Sequence, residues 1–255
     1  MHFSPEVRAS ISLEPWLQTP AGAYLLAWER AQFDRIVADL FGFHAVQLGL
    51  AALPALAHNR MPHRWLLEQP APEGDAGPVA PTLWGDFTDL PFASGSLDLV
   101  VLPHALERAS DPHACLREVD RVLVAGGHVV ITGFNALSLW GARQALARVG
   151  GSLYLPQRGE FISPRRVRNW LRLLSFEVVG GRYGCYRPAV HTQSWLERWR
   201  FVDAAGDRWW PMLGAAYVLV ATKRVRALRL VGKAWAGQAR KGAVARPVAH
   251  GRRRL

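Results

Sequence analysis

From residue 45 to about residue 223, short apolar runs alternate with amphipathic helical patterns. This constrains the chain more than any other feature, because it is the mark of βαβ units stacked on a mostly parallel sheet. The strand candidates are Ala45–Leu50, Arg64–Glu68, Thr82–Gly85, Leu97–Leu102, His128–Gly133, Phe176–Tyr183 and Ala215–Lys223. Most are short, apolar and bounded by Gly, Pro or Asp, as strands buried on both faces tend to be. Two helix starts are explicit. Asp111 suits an N-cap and Pro112 the first helical position, with Leu116, Val119, Val122 and Leu123 on one face and Ala125-Gly126-Gly127 as the stop. Ser163-Pro164 repeats the device ahead of Val167, Trp170, Leu171 and Leu174. The predicted fold class is α/β.

Composition divides the chain further. Residues 1–44 read as a helical lead-in, with Leu25, Leu26, Phe33, Ile36, Val37 and Leu40 at mixed three- and four-residue spacing. Residues 45–223 form the α/β domain, interrupted at about 185–213 by an irregular, Trp-rich insertion containing Trp195, Trp199, Trp209 and Trp210. Such aromatics form either a lid over an apolar substrate or ordinary packing, and packing is the commoner use. The net charge of +11 is concentrated at the end: residues 223–255 hold eleven Lys and Arg and no acid, so the preceding residues balance to zero. The segment 224–255 is thus either a flexible solvated tail or a patch that binds nucleic acid or an anionic surface.

Other classes are excluded. No run approaches the ~18 continuous apolar residues of a membrane span, and MHFSPEVRAS does not open like a secretory signal. Two cysteines, Cys115 and Cys185, offer no disulfide framework, so the expected compartment is the cytoplasm. Nine histidines without tight ligand spacing give no support for a metal site.

One ordered block carries a resemblance. The run from Gly85 to Asn135 contains Asp86, Leu90-Pro91-Phe92, Asp98, Asp111-Pro112, Leu116, Glu118, Arg121-Val122-Leu123 and Gly126-Gly127. In that order it resembles the second half of a class I S-adenosylmethionine-dependent methyltransferase core. The resemblance implies a Rossmann-like, doubly wound sheet with helices on both faces. It also implies S-adenosylmethionine as cofactor, bound outside the carboxyl ends of the strands where strand order reverses. The acceptor is unknown, with a small molecule favoured, and oligomeric state is open.

Carried onto this sequence, the family pattern puts Glu68 on the ribose hydroxyls, or else leaves it as a solvated strand-end carboxylate. Asp86 would meet the adenine amino group, with Phe87 packing beside the ring and Pro103 closing the fourth strand. Asp98 reads instead as a structural group at the start of its strand. His104 is the best-placed general base, although local packing at the strand end is the more ordinary role. Asn135 either meets substrate or caps the following helix. The departure comes at the first loop. Relatives carry an acid and a G-x-G-x-G run there, and this chain has Gln47-Leu48-Gly49-Leu50-Ala51-Ala52-Leu53-Pro54. Only Gly49 matches, and Gln47 stands near the acid. Either the loop is divergent and still binds cofactor, or the core has become a non-catalytic binding or regulatory module. The intact downstream positions favour the first reading.

Overall fold

A computed structural model of the chain describes residues 13–69, 82–150, 154–155, 161–190 and 192–224. The basic segment predicted over 224–255 lies outside them except for Arg224, which pairs with Glu177. The lead-in provides α1 (Leu13–Leu17) and α2 (Pro20–Val37). They are followed by β1 (His44–Leu48), β2 (His63–Glu68), β3 (Leu83–Trp84) and β4 (Leu97–Pro103). Next come α3 (Ala105–Arg108), α4 (Pro112–Val122), β5 (Leu123–Phe134), α5 (Leu139–Gly150) and α6 (Pro164–Leu173). The described chain closes with β6 (Phe176–Gly184), α7 (Gln193–Arg198), α8 (Phe201–Trp209), a 3-10 turn at Pro211–Leu213 and β7 (Ala216–Lys223). Each predicted strand is present, with ends moved by a few residues.

The seven strands lie in the order β3-β2-β1-β4-β5-β7-β6. The first five are parallel, and β7 runs antiparallel to both β5 and β6. Strand order reverses between β1 and β4, which makes their carboxyl ends the switch point. Alternating side chains of β4 feed two separate cores. Val100 and Leu102 face α4 and α6 through Leu116, Val119, Val167 and Leu171. Leu99 and Val101 face α1 and α2 through Trp16, Leu25, Phe33 and Val37. Burial on both faces is what makes these strands read as continuous apolar runs, each buried aliphatic stabilising by about 1.5–3 kcal/mol.

The caps behave as their residue types dictate. Asp111 accepts from the amides of His113 and Ala114 at 2.8 and 3.0 Å, and the Ser163 hydroxyl accepts from Arg166 N. Gly126, at φ +84°, sits where the β4–β5 register shifts, so the predicted stop is a bulge inside β5. Asp98 is structural, its carboxylate accepting from Phe43 N and His44 N at 2.8 and 3.0 Å.

Two regions differ from expectation. No helix joins β1 to β2; the segment 49–62 is a succession of turns. The insertion is not irregular, since it carries α7 and α8. Its helical pattern is inverted: α8 buries Gly206 against Tyr186 and turns Phe201 and Trp209 outward. The insertion leaves and returns at one neck, where Gly184 pairs with Ala216 and Ala215 N donates to Cys185 O. Among the described residues no helix is long and apolar enough to cross a membrane.

Candidate functional site

The end of β1 enters a sharp turn in which Gly49 (φ +79°) and Leu50 (φ +56°) are both left-handed. Glycine is favoured at the first position by its φ, and the space beside it is tight. A Cβ there would stand 3.1 Å from Phe87 Cζ and 3.0 Å from Arg108 Nη1. The turn is held by one buried side chain. Gln47 Nε2 donates to the carbonyls of Gly49, Leu50 and Leu53 at 2.8–3.0 Å, and its Oε1 accepts from Ala55 N at 2.9 Å. With two amide hydrogens shared among three carbonyls, Gln47 has no donor left to offer a ligand.

Glu68, at the end of β2, faces this turn. Its Oε1 accepts from Ala51 N at 3.0 Å and its Oε2 from Arg108 Nη2 at 3.2 Å. Glu14 of α1 approaches the same guanidinium to 3.7 Å. Arg108 Nη1 is buried and has no hydrogen-bond partner among the described residues. The fold thus gathers Gly49, Glu68, Phe87 and Arg108 at the switch point. Phe87 is fully buried beside Gly49 rather than offered as an open face. Asp86 is exposed, with one oxygen accepting from Thr88 N and the other not so engaged. Pro103 is buried where β4 ends beside Thr132 of β5.

Across the switch point lies a buried charged cluster. His104 is fully buried, left-handed at φ +52°, and caps α3. Its Nδ1 lies 2.8 Å from Glu107 Oε2, while Nε2 lies 3.0 Å from Glu29 Oε1 of α2. The second contact is an ion pair without hydrogen-bond direction, which leaves both Glu29 oxygens unpartnered. Burial works against charge on the imidazole, but the two carboxylates outweigh it and push the His104 pKa up to about 10. At neutral pH such a histidine already holds its proton and cannot take another from an acceptor. The other Glu107 oxygen accepts from Phe134 N at 2.7 Å, tying α3 to the end of β5.

Asn135 serves the backbone. Its Oδ1 accepts from Leu137 N, and its Nδ2 donates to the carbonyls of Met212 and Gly214 at 2.9 Å each. The cap of α5 itself falls to Ser138, whose hydroxyl accepts from Gly141 N. In the insertion, Trp195, Trp209 and Trp210 are 49, 69 and 58 % exposed. Arg198 lies over Trp195 and Arg208 over Trp209, while Trp199 stacks on Phe201. Sequence reasoning missed Arg108, Glu14 and Glu29. Arg108 falls inside the recognisable block, but its partner Glu68 is 40 positions away in the chain.

Three comparisons bear on this arrangement. Residues 67–131 match the family described as a methyltransferase domain. The uncharacterized protein YafS of Escherichia coli (strain K12) is 31 % identical over 217 residues, covering 84 % of this chain and 82 % of YafS. Among solved structures, a SAM-dependent methyltransferase of Thermotoga maritima aligns with a TM-score of 0.54 and 15 % identity, over 83 % of this chain and 94 % of its own. A chain in the complex between the Haloferax volcanii Trm112 methyltransferase activator and a methyltransferase aligns with a TM-score of 0.53 and 18 % identity, over 84 % and 96 %. At those identities the structural likeness establishes the fold.

Proposed function

The chain belongs to the class I methyltransferase family, and on that premise we propose that it transfers a methyl group from S-adenosylmethionine to an acceptor entering at the ends of β4 and β5. The observation that carries the reading is the convergence of Glu68, Gly49 and Arg108 at the switch point, with a buried guanidinium N–H left unmade. An orphaned donor beside a strand-end carboxylate fits a polar ligand carrying both hydroxyl donors and an acceptor group.

In this assignment Glu68 takes the ribose hydroxyls and Asp86 the adenine amino group. Phe87 supports the turn from below, Gly49 lets the ligand approach the backbone, and Pro103 closes the wall. Gln47 acts one step removed, by fixing the shape of the turn. The bound cofactor supplies an electrophilic methyl on a sulfonium. The protein's contribution to such an in-line displacement is to hold the nucleophile and exclude water. His104 holds its proton, and with Glu29 and Glu107 it fixes α2 and α3 against β5 beside the acceptor path.

Calorimetry with S-adenosylmethionine and S-adenosylhomocysteine is the direct test. Binding of either, weakened by Asp86→Ala, supports the assignment; no binding at millimolar ligand refutes it. A second reading, a binding or regulatory module without turnover, is favoured by the turn that replaces the glycine loop and by the side chain lying over it. Cofactor binding without labelled methyl transfer to small-molecule, lipid or nucleic-acid acceptors would select that reading. A small acceptor is favoured. An anionic partner held by residues 224–255 would show salt-dependent binding that is lost when the segment is deleted.

A further inference from the structure

Arg108 is the side chain at the switch point with no account in the sequence pattern. It sits at the end of α3, immediately after β4, and reaches back across β1 to the end of β2. The guanidinium bridges two points that a bound adenosyl amino acid would also bridge. Nη2 faces the Glu68 carboxylate at 3.2 Å, on the ribose side. Nη1 packs over Gly49, 3.0 Å from where a Cβ would be, on the side where the chain turns out of β1. That second nitrogen is buried without an acceptor. Leaving a donor of a charged group unmade in a buried place is costly, and an ordered water or a ligand atom resolves it. Glu14 stands 3.7 Å from Nη2, the nitrogen that also meets Glu68, at the other end of the same guanidinium. A cation and an anion side by side complement the carboxylate and ammonium of a free amino-acid end.

We infer that Arg108 grips the carboxylate at the amino-acid end of the adenosyl ligand, with Glu14 receiving its ammonium, in place of the backbone amides of a glycine loop. The inference rests on the methyltransferase reading above. It explains how a chain whose loop holds only Gly49 of the usual glycines can still bind the ligand: the anchor comes from a guanidinium on the β4 side. The unmade Nη1 N–H suits a carboxylate oxygen, as a charge-assisted hydrogen bond, while Nη2 stays on Glu68.

The test compares two ligands that differ only at that end. S-adenosylhomocysteine carries the amino acid, whereas 5′-methylthioadenosine keeps the adenosine and sulfur and lacks it. By calorimetry on the full chain, Arg108→Ala should weaken S-adenosylhomocysteine by roughly 10- to 100-fold and leave methylthioadenosine within about threefold. Arg108→Lys should recover part of the loss, and Glu14→Gln should show a smaller loss with the same selectivity. Glu68→Gln should weaken both ligands, because both carry the ribose. Thermal melts confirm that each variant is folded, and the lysine variant decides the matter if the alanine variant is not. Equal losses of the two ligands on Arg108→Ala would mean that Arg108 acts only by orienting Glu68, and the inference falls. Tighter S-adenosylhomocysteine binding would mean that Arg108 obstructs the site, and the inference falls again. If the wild-type chain binds neither ligand, the methyltransferase reading fails with it. Binding of both without selectivity at Arg108 sinks the inference alone.

Discussion

The connection from β4 to β5 and the connection from β1 to β2 do the same topological job on opposite sides of the switch point. Each returns the chain to the start of a neighbouring parallel strand. The first does it with two helices, a carboxylate N-cap and a glycine bulge, devices that act within a few residues. The second has no helix, and one glutamine amide binds four backbone groups between Gly49 and Ala55. Backbone polarity must be answered in either case. A capped helix answers it with local chemistry; here a few side chains answer it, Gln47 from Gly49 to Ala55, Glu68 at Ala51, and Asn59 and Arg64 from Leu56 to Met61. The cost of error is therefore spread out in one connection and concentrated on those few side chains in the other.

The largest expected effect lies at the entry to the β4–β5 connection. His104→Leu leaves Glu29 and Glu107 buried without their cation and should destabilise the protein by about 3–5 kcal/mol in denaturant unfolding. The same histidine gives a pH signature. Its pKa is near 6.5 unfolded and about 10 folded. Its contribution is therefore fully present below pH 6.5 and is lost as pH rises through 10. Between pH 6.5 and 8.5 the wild type should lose stability as pH rises, and a His104→Leu/Glu29→Gln/Glu107→Gln variant, which removes the buried carboxylates with the imidazole, should not; parallel curves would show that the imidazole is not held charged. Gln47→Glu, which installs the acid of the family pattern, should cost about 2–3 kcal/mol, because it sets a carboxylate against three carbonyls. A neutral outcome would break the idea that one amide carries the turn from Gly49 to Ala55. The smallest effect belongs to the distributed side: Asp111→Ala should lower Tm by a few degrees, while Asp111→Asn keeps it.

What could be read from the sequence follows the same division. The strands were legible because Leu99–Leu102 and Val129–Ile131 bury both faces, and α4 because Asp111 and Pro112 mark its start. The switch-point acid Glu68 was legible from its place after an apolar run. Gln47 was not, because a glutamine inside a strand looks the same whether it meets ligand, water or its own loop. Arg108 and Glu29 were not, because their partners are 40 and 75 positions away in the chain, at Glu68 and His104. The two helices of the insertion escaped because their large aromatic side chains point outward and a glycine takes the inward place.

The neck at Gly184 and Ala216 has a consequence for how such a protein can diversify. The excursion from Cys185 to Ala215 starts and ends at that pair of strand ends, with Asn135 clasping the returning arm, and it is tied again to α2 through Tyr24 and Asp203 and to α5 through Trp140 and the Arg187 carbonyl. Closing a longer or shorter excursion at a fixed neck changes its closure entropy only logarithmically, by about 0.6 kcal/mol for each doubling of length. Its exposed turns can therefore change length at little entropic cost, while Cys185, Arg187, Ala189 and Asp203 stay tied to the second core and to α2 and α5. A lineage could change the exposed aromatics Trp195, Phe201 and Trp209 on the outer side of this excursion without reopening either core.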